Sequence, residues 1–406
     1  MNVLILGLNY APEPVGIGPY TTGMAEALAA AGHRVTVVCG KPYYPHWKVA
    51  PAYRGVRARR SDEGGVNIVR LPIYVPREPG GARRLLHHAS FAARSLPKLL
   101  AEARRARPDV IIAIAPSLFS AGIARLVARL SGAKLWLHVQ DFEVDAAFAT
   151  GLLADTGLLS RVARSFERWS LAGDRVSTIS PQMCDRLRGC GVADERIVEF
   201  RNWATLEEVA PPIRFPSYRA EWGIDRPHVA LYAGSIANKQ GIDLIVDAAR
   251  RLSHRRDLVF LVCGDGPQRA RLAASAAHLD NIQFRALQPQ ERLSELLGIA
   301  SVHLLPQIAG AADLLLPSKL TNMLFSGRPV VVTAARGTGL AEEVAGCGEV
   351  VEPGDAGMFA RAIERLIDNP VLRSDLGSKA RDRAKERWSR TQILGRFERQ
   401  LRELAA

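Results

Sequence analysis

The sequence predicts an α/β protein made of two doubly wound, Rossmann-like domains. Short β-rich apolar segments alternate with longer helical patterns along the whole 406-residue chain, and this alternation is typical of parallel sheets flanked by helices. The apolar segments are nearly continuous, as expected for strands that are buried on both faces. They fall into two series of similar length, so we expect two domains.

The expected strands are distributed evenly over both series. Those of the first series are Val3–Gly7, Val35–Val38, Asn67–Leu71, Val110–Ala115, Lys134–Val139 and Val176–Ile179. Those of the second are Val229–Ala233, Leu258–Cys263, Ile282–Phe284, Val302–Leu305, Val330–Thr333 and Glu349–Val351.

A proline-rich segment separates the two series. Leu206–Trp222 reads "LEEVAPPIRFPSYRAEW" and has no clear periodicity, which is typical of a linker. We therefore expect an N-terminal domain over residues 1–205, a linker over 206–222 and a C-terminal domain over 223–385. The remaining residues, 386–406, are predicted to form a helix that packs back towards the N-terminal domain.

The composition indicates an anionic partner. Lys and Arg number 54 against 41 Asp and Glu, a net charge of +13, which favours nucleic acid, an anionic membrane face or a phosphorylated substrate. The five cysteines lack metal-ligand spacing, so we expect reduced thiols in a cytoplasmic protein. The first apolar run is too short for a signal peptide, and no stretch approaches the length of a membrane span.

Two glycine-containing turns follow predicted strands, where α/β sheets bind ligands at helix N-termini. "GLNYAPEPVGIGPY" places Gly16 and Gly18 where the backbone can approach a ligand, although it is not a G-x-G-x-x-G fingerprint. "CGDGPQ" contributes Gly264. A purely architectural role is the alternative for both turns.

Two further turns place lysines at helix N-termini. "YAGSIANKQG" carries Ser235 and Lys239, and "PSKLTN" places Lys319 in the first helical turn after the N-cap candidate Ser318. A cation is unfavourable at the positive end of the helix dipole, so we expect an anion between each lysine and its helix. Together the lysines predict a diphosphate clamp, and Asn322, on the same face as Lys319, is placed to bond a sugar hydroxyl. Solvated surface lysines are the alternative.

Several motifs, taken in this order, resemble those of a known family. They are "YAPEPVGIGPYTTGMAEALAAAGHRVTVV", "WLHVQDFEVDAAFATGLL", "ISPQMCDRL", "RNW", "YAGSIANKQG", "CGDGP" and "AADLLLPSKLTNMLFSGRPVVVTA". Over almost its whole length the chain is similar to the GT-B glycosyltransferases of the retaining family 4, and within that family to the colanic-acid (exopolysaccharide) type. The combination is specific, although no single motif is.

The resemblance implies two domains facing each other across a cleft and retaining transfer of a sugar from a nucleotide-sugar donor, with no cofactor. By position, Lys239 and Lys319 would bind the diphosphate, Asn322 would face the ribose and Leu287 would contact the nucleobase, while the loop at Gly16–Gly18 closes over the phosphates. GDP-fucose is the favoured donor and a uridine nucleotide the alternative. The expected acceptor is a polyprenyl-diphosphate-linked saccharide of bacterial exopolysaccharide synthesis, held mainly by the N-terminal domain.

The sequence departs from the general family pattern at the donor site. Ser235 stands where many members have an arginine, and Gln240 rather than a lysine precedes the second glycine. The usual pair of glutamates is absent, because Asn322 replaces the second and Leu314, beside Asp313, falls at the first. The colanic-acid type shares this variant, and we retain Asp313 among the donor-binding candidates.

The expected chemistry depends on charge stabilisation rather than on a metal. Two lysines and helix N-termini would stabilise the negative charge of the departing nucleoside diphosphate, and the sequence has no D-x-D or His/Cys ligand cluster. His138 and Asp141 follow a strand of the N-terminal domain and are candidates to act on the acceptor; a hydrogen-bonded pair of structural value is the alternative. Glu342, after "TGLA", is a further candidate donor contact.

Residues 83–107 predict a basic amphipathic helix that Pro97 is expected to kink. The segment contains seven Lys and Arg residues and a single glutamate, Glu102, and its apolar stripe includes Leu85, Leu86 and Leu99. Such a helix is typical of attachment to an anionic membrane surface, here the inner face of the cell membrane. A helix packed on the core with a solvated charged face is the alternative.

Three rival functions make different predictions. An NAD-dependent oxidoreductase requires a full glycine fingerprint and an acidic residue after strand two, which instead ends "VCGKPYYP". A nucleic-acid binder would explain the charge but not the lysines at helix N-termini, so we expect no nucleic acid partner. A GT-B sugar-nucleotide epimerase remains the enzymatic alternative, and incubation with donor alone tests it.

Overall fold

The computed structural model describes residues 1–14, 16–55, 57–78, 80–115, 118–142, 158–204, 217–237, 240–308 and 318–406. The chain divides into two compact units, one formed by Met1–Asn202 with Ile393–Ala406 and the other by Trp203–Gln392. Each unit is a parallel or mainly parallel sheet with flanking helices, which confirms the predicted fold class of two doubly wound α/β domains.

The first sheet is parallel apart from one edge strand. Its strands are β1 Asn2–Gly7, β2 Arg34–Gly40, β3 Arg59–Glu63, β4 Val66–Leu71, β5 Val110–Ala115, β6 Lys134–Val139, β7 Arg175–Thr178 and β8 Ile197–Glu199. They lie in the order β3-β4-β2-β1-β5-β6-β7-β8, with β3 antiparallel to β4. The associated helices are α1 Gly18–Ala30, α2 Gly81–Ala106, α3 Leu118–Ser131, α4 Leu158–Ser170 and α5 Pro181–Gly189.

The second sheet is wholly parallel over the described strands. They are β9 His228–Ala233, β10 Leu258–Cys263, β11 Ile282–Arg285, β12 Val302–Leu305, β13 Val330–Thr333 and β14 Gly348–Val351, in the order β11-β10-β9-β12-β13-β14. The helices that follow are α6 Ser217–Glu221, α7 Asp243–Arg251, α8 Arg269–Ser275, α9 Leu293–Gly298, α10 Ser318–Phe325, α11 Gly339–Val344, α12 Ala356–Asp368, α13 Pro370–Trp388 and α14 Arg390–Ala405.

Every predicted strand is present to within two residues at either end. The central strands β1, β5, β9 and β10 are buried along nearly their full length, because helices cover both faces of a parallel sheet. The sequence did not predict β3, whose residues "RRSDE" are all polar, or the three-residue β8. Both are edge strands, which need no continuous apolar run.

The predicted linker of residues 206–222 is partly wrong. Residues 205–216 lie outside the described part of the chain, but residues 217–221 form α6. Tyr218 of this helix is buried, and it packs with Trp222 against β9 and β10. The end of the predicted linker therefore belongs to the second domain, because these aromatic side chains have a core to enter.

The C-terminal helix α14 packs on the first unit. Phe397 stacks on Phe200 with ring centroids 4.5 Å apart and meets the edge of Trp136 at 4.9 Å. His33 Nε2 lies 2.9 Å from the Glu398 carboxylate. Residues 393–406 are thus an integral part of the N-terminal unit.

Candidate functional site

A crevice for ligands is expected where the strand order of the second sheet reverses, between β9 and β12. Open α/β sheets bind ligands beyond the carboxyl ends of their strands at this switch point. The turn after β9, residues 234–237, lies at this edge, and α10 is the next described helix after β12. Three of the predicted donor-binding residues, Ser235, Ser318 and Lys319, belong to these two elements.

Two glycine turns pack backbone against backbone beside this crevice. The Gly234 amide donates to the Cys263 carbonyl at 2.8 Å, and the Ile236 amide donates to the Asp265 carbonyl at 2.8 Å. A Cβ atom on Gly264 would lie 1.8 Å from the Gly234 carbonyl oxygen, so a side chain cannot enter there. The close approach of the two turns therefore requires glycine at position 264. This contact is the architectural role that was the alternative to ligand binding for this turn.

Lys319 lies directly over the first of these turns. Its Nζ donates to the Tyr232 hydroxyl at 2.8 Å and sits 4.8 Å from the centroid of the same ring. A Cβ atom on Gly234 would come within 2.2 Å of Lys319 Cε, and Gly234 has φ of +148°. Glycine at this position leaves room for the lysine side chain.

Tyr232 holds the lysine by a second hydrogen bond. Its hydroxyl donates to the Ser235 carbonyl oxygen at 2.5 Å while accepting from Lys319. Burial raises the pKa of the Tyr232 phenol, so the hydroxyl keeps the proton that it donates. The chain from Lys319 through Tyr232 to Ser235 fixes an ammonium group at the crevice.

The remaining predicted donor residues of this region are only partly described. Lys239 and Asp313 lie outside the described residues. Ser318 is the first residue of α10, one position further into the helix than the predicted N-cap. Asn322 follows Lys319 by three residues on α10 and is half-buried, which places both on the same side of the helix.

Leu287 and Glu342 lie at other strands of the same edge. Leu287 is 67% exposed and follows the outermost strand β11 by two residues. Glu342 lies in the first turn of α11 after β13, where it lines a cavity of about 450 Å³ together with Arg336 and Glu352. Leu287 follows β11 and Glu342 follows β13, so the three strands β10, β9 and β12 lie between them in the sheet.

Two buried amide oxygens near this crevice have no hydrogen-bond partner among the described residues. They are Oε1 of Gln240 and Oε1 of Gln307. Gly241, which follows Gln240, lies close to the Gln307 backbone, because a Cβ atom there would lie 3.4 Å from the Gln307 carbonyl carbon. A buried acceptor without a partner costs about 1–3 kcal/mol, so these oxygens suit the hydroxyl groups of a bound ligand. Sequence reasoning missed Gln307, because its position depends on the fold.

In the first sheet the corresponding switch point lies between β1 and β5, and the loop after β1 is built around Glu13. This buried carboxylate accepts from the backbone amides of Tyr43 at 2.9 Å and Tyr44 at 3.0 Å, and from Asn9 Nδ2 at 2.8 Å. Burial raises the pKa of the Glu13 carboxyl, although its three hydrogen bonds oppose this effect. Sequence reasoning missed Glu13, whose only signal was an acidic residue between two prolines.

The predicted glycines Gly16 and Gly18 pack against this arrangement. Gly16 has φ of +74°, and a Cβ atom there would lie 3.2 Å from the ring of Tyr44. A Cβ atom on Gly18, the first residue of α1, would lie 3.1 Å from Cβ of Glu13. Gly16 lets the loop fold closely onto the segment after β2, and Gly18 lets the start of α1 pack on Glu13 of the same loop.

His138 is buried at the end of β6 and is hydrogen-bonded through both ring nitrogens. Nδ1 lies 2.9 Å from Ser177 Oγ, and Nε2 lies 2.8 Å from Nε2 of Gln140. Gln140 pairs in turn with the side-chain amide of Asn202. Burial lowers the pKa of His138 to about 3, so the ring is neutral at physiological pH and performs a structural role in this arrangement.

Asp141 does not bond to His138, whose ring nitrogens are both occupied by other partners. It is exposed just beyond β6. Although the side chain is exposed, burial of part of its carboxyl by neighbouring atoms raises the pKa of Asp141, an effect that the nearby charge of Arg84 opposes. Of the two predicted acceptor-side residues, Asp141 is therefore the one that a ligand can reach.

Over the described residues, no cluster of three or more His, Cys, Asp or Glu side chains could hold a metal ion. The five cysteines are all described, and each is a buried thiol. Burial raises the pKa of Cys39 and Cys263 to about 12, which makes both poor nucleophiles.

Both halves of the chain match known families. Residues 15–203 match the family described as "Glycosyl transferase 4-like domain", and residues 215–383 match "Glycosyl transferases group 1". The chain is 39% identical to the "Putative colanic acid biosynthesis glycosyl transferase WcaI" of Escherichia coli K12, over 98% of each sequence.

Solved structures with the same fold cover the whole chain. Sucrose-phosphate synthase from Thermosynechococcus elongatus has a TM-score of 0.70 at 18% identity, over 99% of this chain and 98% of that one. HepE of Anabaena, solved with UDP and glucose, has a TM-score of 0.66 at 14% identity, over 99% and 100%. At these identities the likeness establishes the two-domain fold alone.

Proposed function

The chain belongs to the glycosyltransferases that join a 4-like N-terminal domain to a group 1 C-terminal domain on the GT-B fold, and we propose that it acts in bacterial exopolysaccharide synthesis. It moves a sugar from a nucleotide-sugar donor to a lipid-linked saccharide with retention of configuration. The name of the Escherichia coli relative, a putative colanic acid glycosyltransferase, supports this assignment at 39% identity.

The observation that carries the proposal is the position of Lys319. Its ammonium group is held over Gly234 by the Tyr232 hydroxyl, beside the N-terminus of α10 and at the switch point of the second sheet. An ammonium and helix N–H groups aimed at one place form a site for a diphosphate. Lys239, predicted to be the second cation, completes the clamp.

The chemistry of this site is the stabilisation of a leaving group. Negative charge grows on the β-phosphate as the bond to the sugar breaks, and a fixed ammonium stabilises that charge more in the transition state than in the ground state. The fixed orientation matters because the lysine need not reorganise during the reaction. In this proposal the cations of the chain carry out this role without a metal ion.

The amide oxygens of Gln240 and Gln307 complete the donor site. They are buried acceptors without a partner among the described residues, and hydroxyl groups of the donor sugar would supply their hydrogen bonds. On the acceptor side, Asp141 is the exposed carboxylate at the carboxyl edge of the first sheet, where it would orient an acceptor hydroxyl.

A GDP-sugar such as GDP-fucose is the favoured donor, from the resemblance to the colanic-acid type. A UDP-sugar is the alternative; UDP is the nucleotide in the solved complex of HepE, which shares the fold. The acceptor's lipid would hold the enzyme at the inner face of the membrane, where the basic helix α2 takes part in attachment.

Thermal-shift measurements with GDP, UDP and dTDP, alone and as sugar conjugates, test the donor assignment. A ligand at 100 times its Kd stabilises the folded state by about 2.7 kcal/mol, and the true nucleotide should raise Tm of the wild type but not of Lys319→Ala. Transfer from the stabilising donor into a lipid-extracted acceptor tests the reaction. Absence of any nucleotide-dependent shift and of any lipid-linked product would overturn the proposal, and an epimer formed from donor alone would favour the epimerase.

A further inference from the structure

Part of the membrane expectation for α2 has to be revised. Phe91 and Leu99 are buried, and Leu96 and Leu100 pack against the same core. Most of the apolar stripe of α2 therefore faces the sheet, and only Leu85 and Leu86 near its start are exposed. The helix also continues through Pro97. On its own, α2 supplies charge to a membrane surface but little hydrocarbon contact.

The missing apolar surface lies on the neighbouring helices. α2 packs along α3, and α3 packs along α4; we call these three helices the helical layer. On α3, Phe119 is 39% exposed, Leu126 45% and Leu130 68%. Their spacing of seven and four residues places them on one outward side of the helix.

Trp169 of α4 fills the gap between these residues. A Cβ atom on Gly122 of α3 would lie 2.5 Å from Trp169 Cζ3, so the indole lies directly on the helix at this glycine. The ring is 43% exposed, and Phe166 links it to Phe119 through centroid distances of 5.9 and 5.6 Å. Phe119, Trp169, Leu126 and Leu130 thus form one continuous surface, the α3 strip.

Among the described residues of the helical layer, the exposed charges are all positive. The glutamates within the helical layer, Glu102 and Glu167, are both buried. Its exposed charged side chains are Arg83, Arg84, Arg94, Arg104 and Arg105 on α2, Arg129 on α3, and Arg161, Arg164 and Arg168 on α4. Arg125 places its guanidinium 5.1 Å from the centroid of Trp169, so cations border the strip directly.

We propose that the helical layer docks on an anionic lipid bilayer, with the α3 strip inserted among the headgroups and the arginines bound to lipid phosphates. An apolar strip with tryptophan inside a field of arginines matches the interface of a membrane. A second copy of the chain would bring like charges together, and nucleic acid offers no hydrocarbon to the leucines. No helix in the described part of the chain is long and apolar enough to span a membrane.

This inference deepens the membrane part of the proposed function, and its test is independent of sugar transfer. Full-length protein is floated with vesicles of phosphatidylcholine alone or of phosphatidylcholine with phosphatidylglycerol. Binding is expected only to the anionic vesicles, and it should weaken as the Debye length falls from about 10 Å at 0.1 M salt to about 3 Å at 1 M. Equal recovery on both vesicles would overturn the proposal.

Matched variants separate the two components of the surface. Arg129→Gln with Arg168→Gln should lower partitioning about 30-fold, equivalent to about 1 kcal/mol for each cation. Leu126→Gln with Leu130→Gln should lower it at least about tenfold, since partly exposed leucines lose hydrocarbon contact. The control pair, Arg396→Gln with Arg399→Gln, removes the same charge from exposed positions of α14 and should bind like the wild type. An equal loss for both arginine pairs would mean net charge alone is responsible.

Tryptophan fluorescence locates the contact. Trp136, Trp203 and Trp388 are buried, and the half-buried Trp47 and Trp222 lie outside the helical layer. Brominated lipids should therefore quench mainly Trp169, and Trp169→Phe should remove that quenching while flotation persists. Quenching that survives in Trp169→Phe would contradict the placement of the α3 strip. If the arginine variants instead abolished an RNA gel shift or self-association without changing flotation, a different partner would occupy this face.

Discussion

The ammonium nitrogen of Lys319 lies 2.8 Å from the hydroxyl oxygen of Tyr232, which comes from the strand β9 on the other side of the switch point. This contact joins two segments that are 87 residues apart. It explains why a lysine is tolerated in the first turn of a helix surrounded by apolar sequence. Its ammonium is directed over a glycine turn at the edge of the sheet, where an anion can bind.

Replacing Lys319 with alanine is expected to slow sugar transfer by about 100- to 1,000-fold while leaving the fold intact, because loss of one preformed charge-stabilising donor typically has that effect. The same loss is predicted for Lys239→Ala. Turnover under saturating donor and circular dichroism provide the measurements. Lys379→Ala is the control, since this exposed lysine of α13 pairs with Asp375 in an i,i+4 contact away from the crevice. Near wild-type turnover in both site variants would show that the clamp is wrongly assigned.

Gly234→Ala should reproduce the loss caused by Lys319→Ala without removing the lysine. The new Cβ would lie 2.2 Å from Cε and 2.3 Å from Nζ of Lys319, so the side chain must leave its place. Gly346→Ala is the control, because Gly346 also has a positive φ, +78°, but has no atom within 4 Å of the added Cβ. Both variants bear backbone strain of about 1–3 kcal/mol, because alanine rarely adopts a positive φ, and only Gly234→Ala should lose activity. If both lost activity equally, displacement of Lys319 would not be the cause.

The strands and the crevice were predictable from sequence because they depend on local signals. Continuous apolar runs such as Leu258–Cys263 identify buried parallel strands. Ser235 directly follows the turn glycine after β9, and Lys319 lies in the first turn of a helix, both positions where the fold class places ligands. The polar edge strand β3 carried no such signal, since its position depends on pairing with β4.

The polar network of the interior was not predictable in the same way. His138 and Asp141 were predicted to act on the acceptor, with a hydrogen-bonded pair as the alternative, but the partner of His138 Nδ1 is Ser177 from the adjacent strand β7. Glu13 likewise bonds to backbone amides 30 and 31 residues away. The hydrogen-bond partners of buried groups depend on which residues the fold brings together, and a single sequence does not reveal these long-range contacts.

The free energy of unfolding of Glu13→Gln, relative to that of the wild type, is expected to increase as pH rises. Burial raises the pKa of Glu13 above its ordinary 4.5, so the folded state binds the proton more tightly than the unfolded state. The stability of the wild type therefore falls as pH rises above about 4.5, and glutamine removes that fall. Glutamine still offers one oxygen to the amides of Tyr43 and Tyr44, although its NH2 group replaces the oxygen that accepts from Asn9 Nδ2, a loss that is the same at every pH. Urea unfolding of both proteins at pH 4.5 and pH 7 measures the difference, which should be larger at pH 7. Glu13→Ala, which leaves two amides without an acceptor, should destabilise at both pH values by about 1–3 kcal/mol for each amide. A difference between glutamine variant and wild type that shrinks with pH would contradict this prediction.

Sugar transfer is expected to continue in EDTA. The proposal assigns stabilisation of the leaving diphosphate to Lys319, to the predicted Lys239 and to the N-terminus of α10, which supply the positive charge that a metal ion would otherwise provide. Initial rates with EDTA, and after add-back of Mg²⁺ or Mn²⁺, are the measurement. A rate that disappears in EDTA and returns only with one of these ions would assign part of the charge stabilisation to a metal. The comparison is sharpest in Lys319→Ala, whose residual rate should also be insensitive to EDTA.

His138 should make the protein less stable as pH falls, without entering the pH profile of catalysis. Burial lowers the pKa of His138 from 6.5 to about 3. Between pH 6.5 and pH 3 the unfolded chain therefore binds a proton that the folded protein does not bind. The contribution of neutral His138 to the free energy of unfolding is complete above pH 6.5 and is lost as pH falls towards 3. Each such histidine contributes a slope of up to about 1.4 kcal/mol per pH unit. His303, whose pKa burial also lowers to about 3, adds a second slope of the same sign.

In His138→Gln one of these slopes is absent. Urea unfolding between pH 4 and 6 should therefore show a shallower dependence on pH, by about one proton, even though loss of the contacts to Ser177 and Gln140 lowers stability throughout. His303→Gln should behave in the same way through its own lost bond to Ser326. Because His138 stays neutral from pH 6 to 8, kcat/KM of the wild type and of His138→Gln should change in parallel over that range. A kinetic pKa near 6.5 that is present in the wild type and missing in His138→Gln would instead identify His138 as a group that titrates during catalysis.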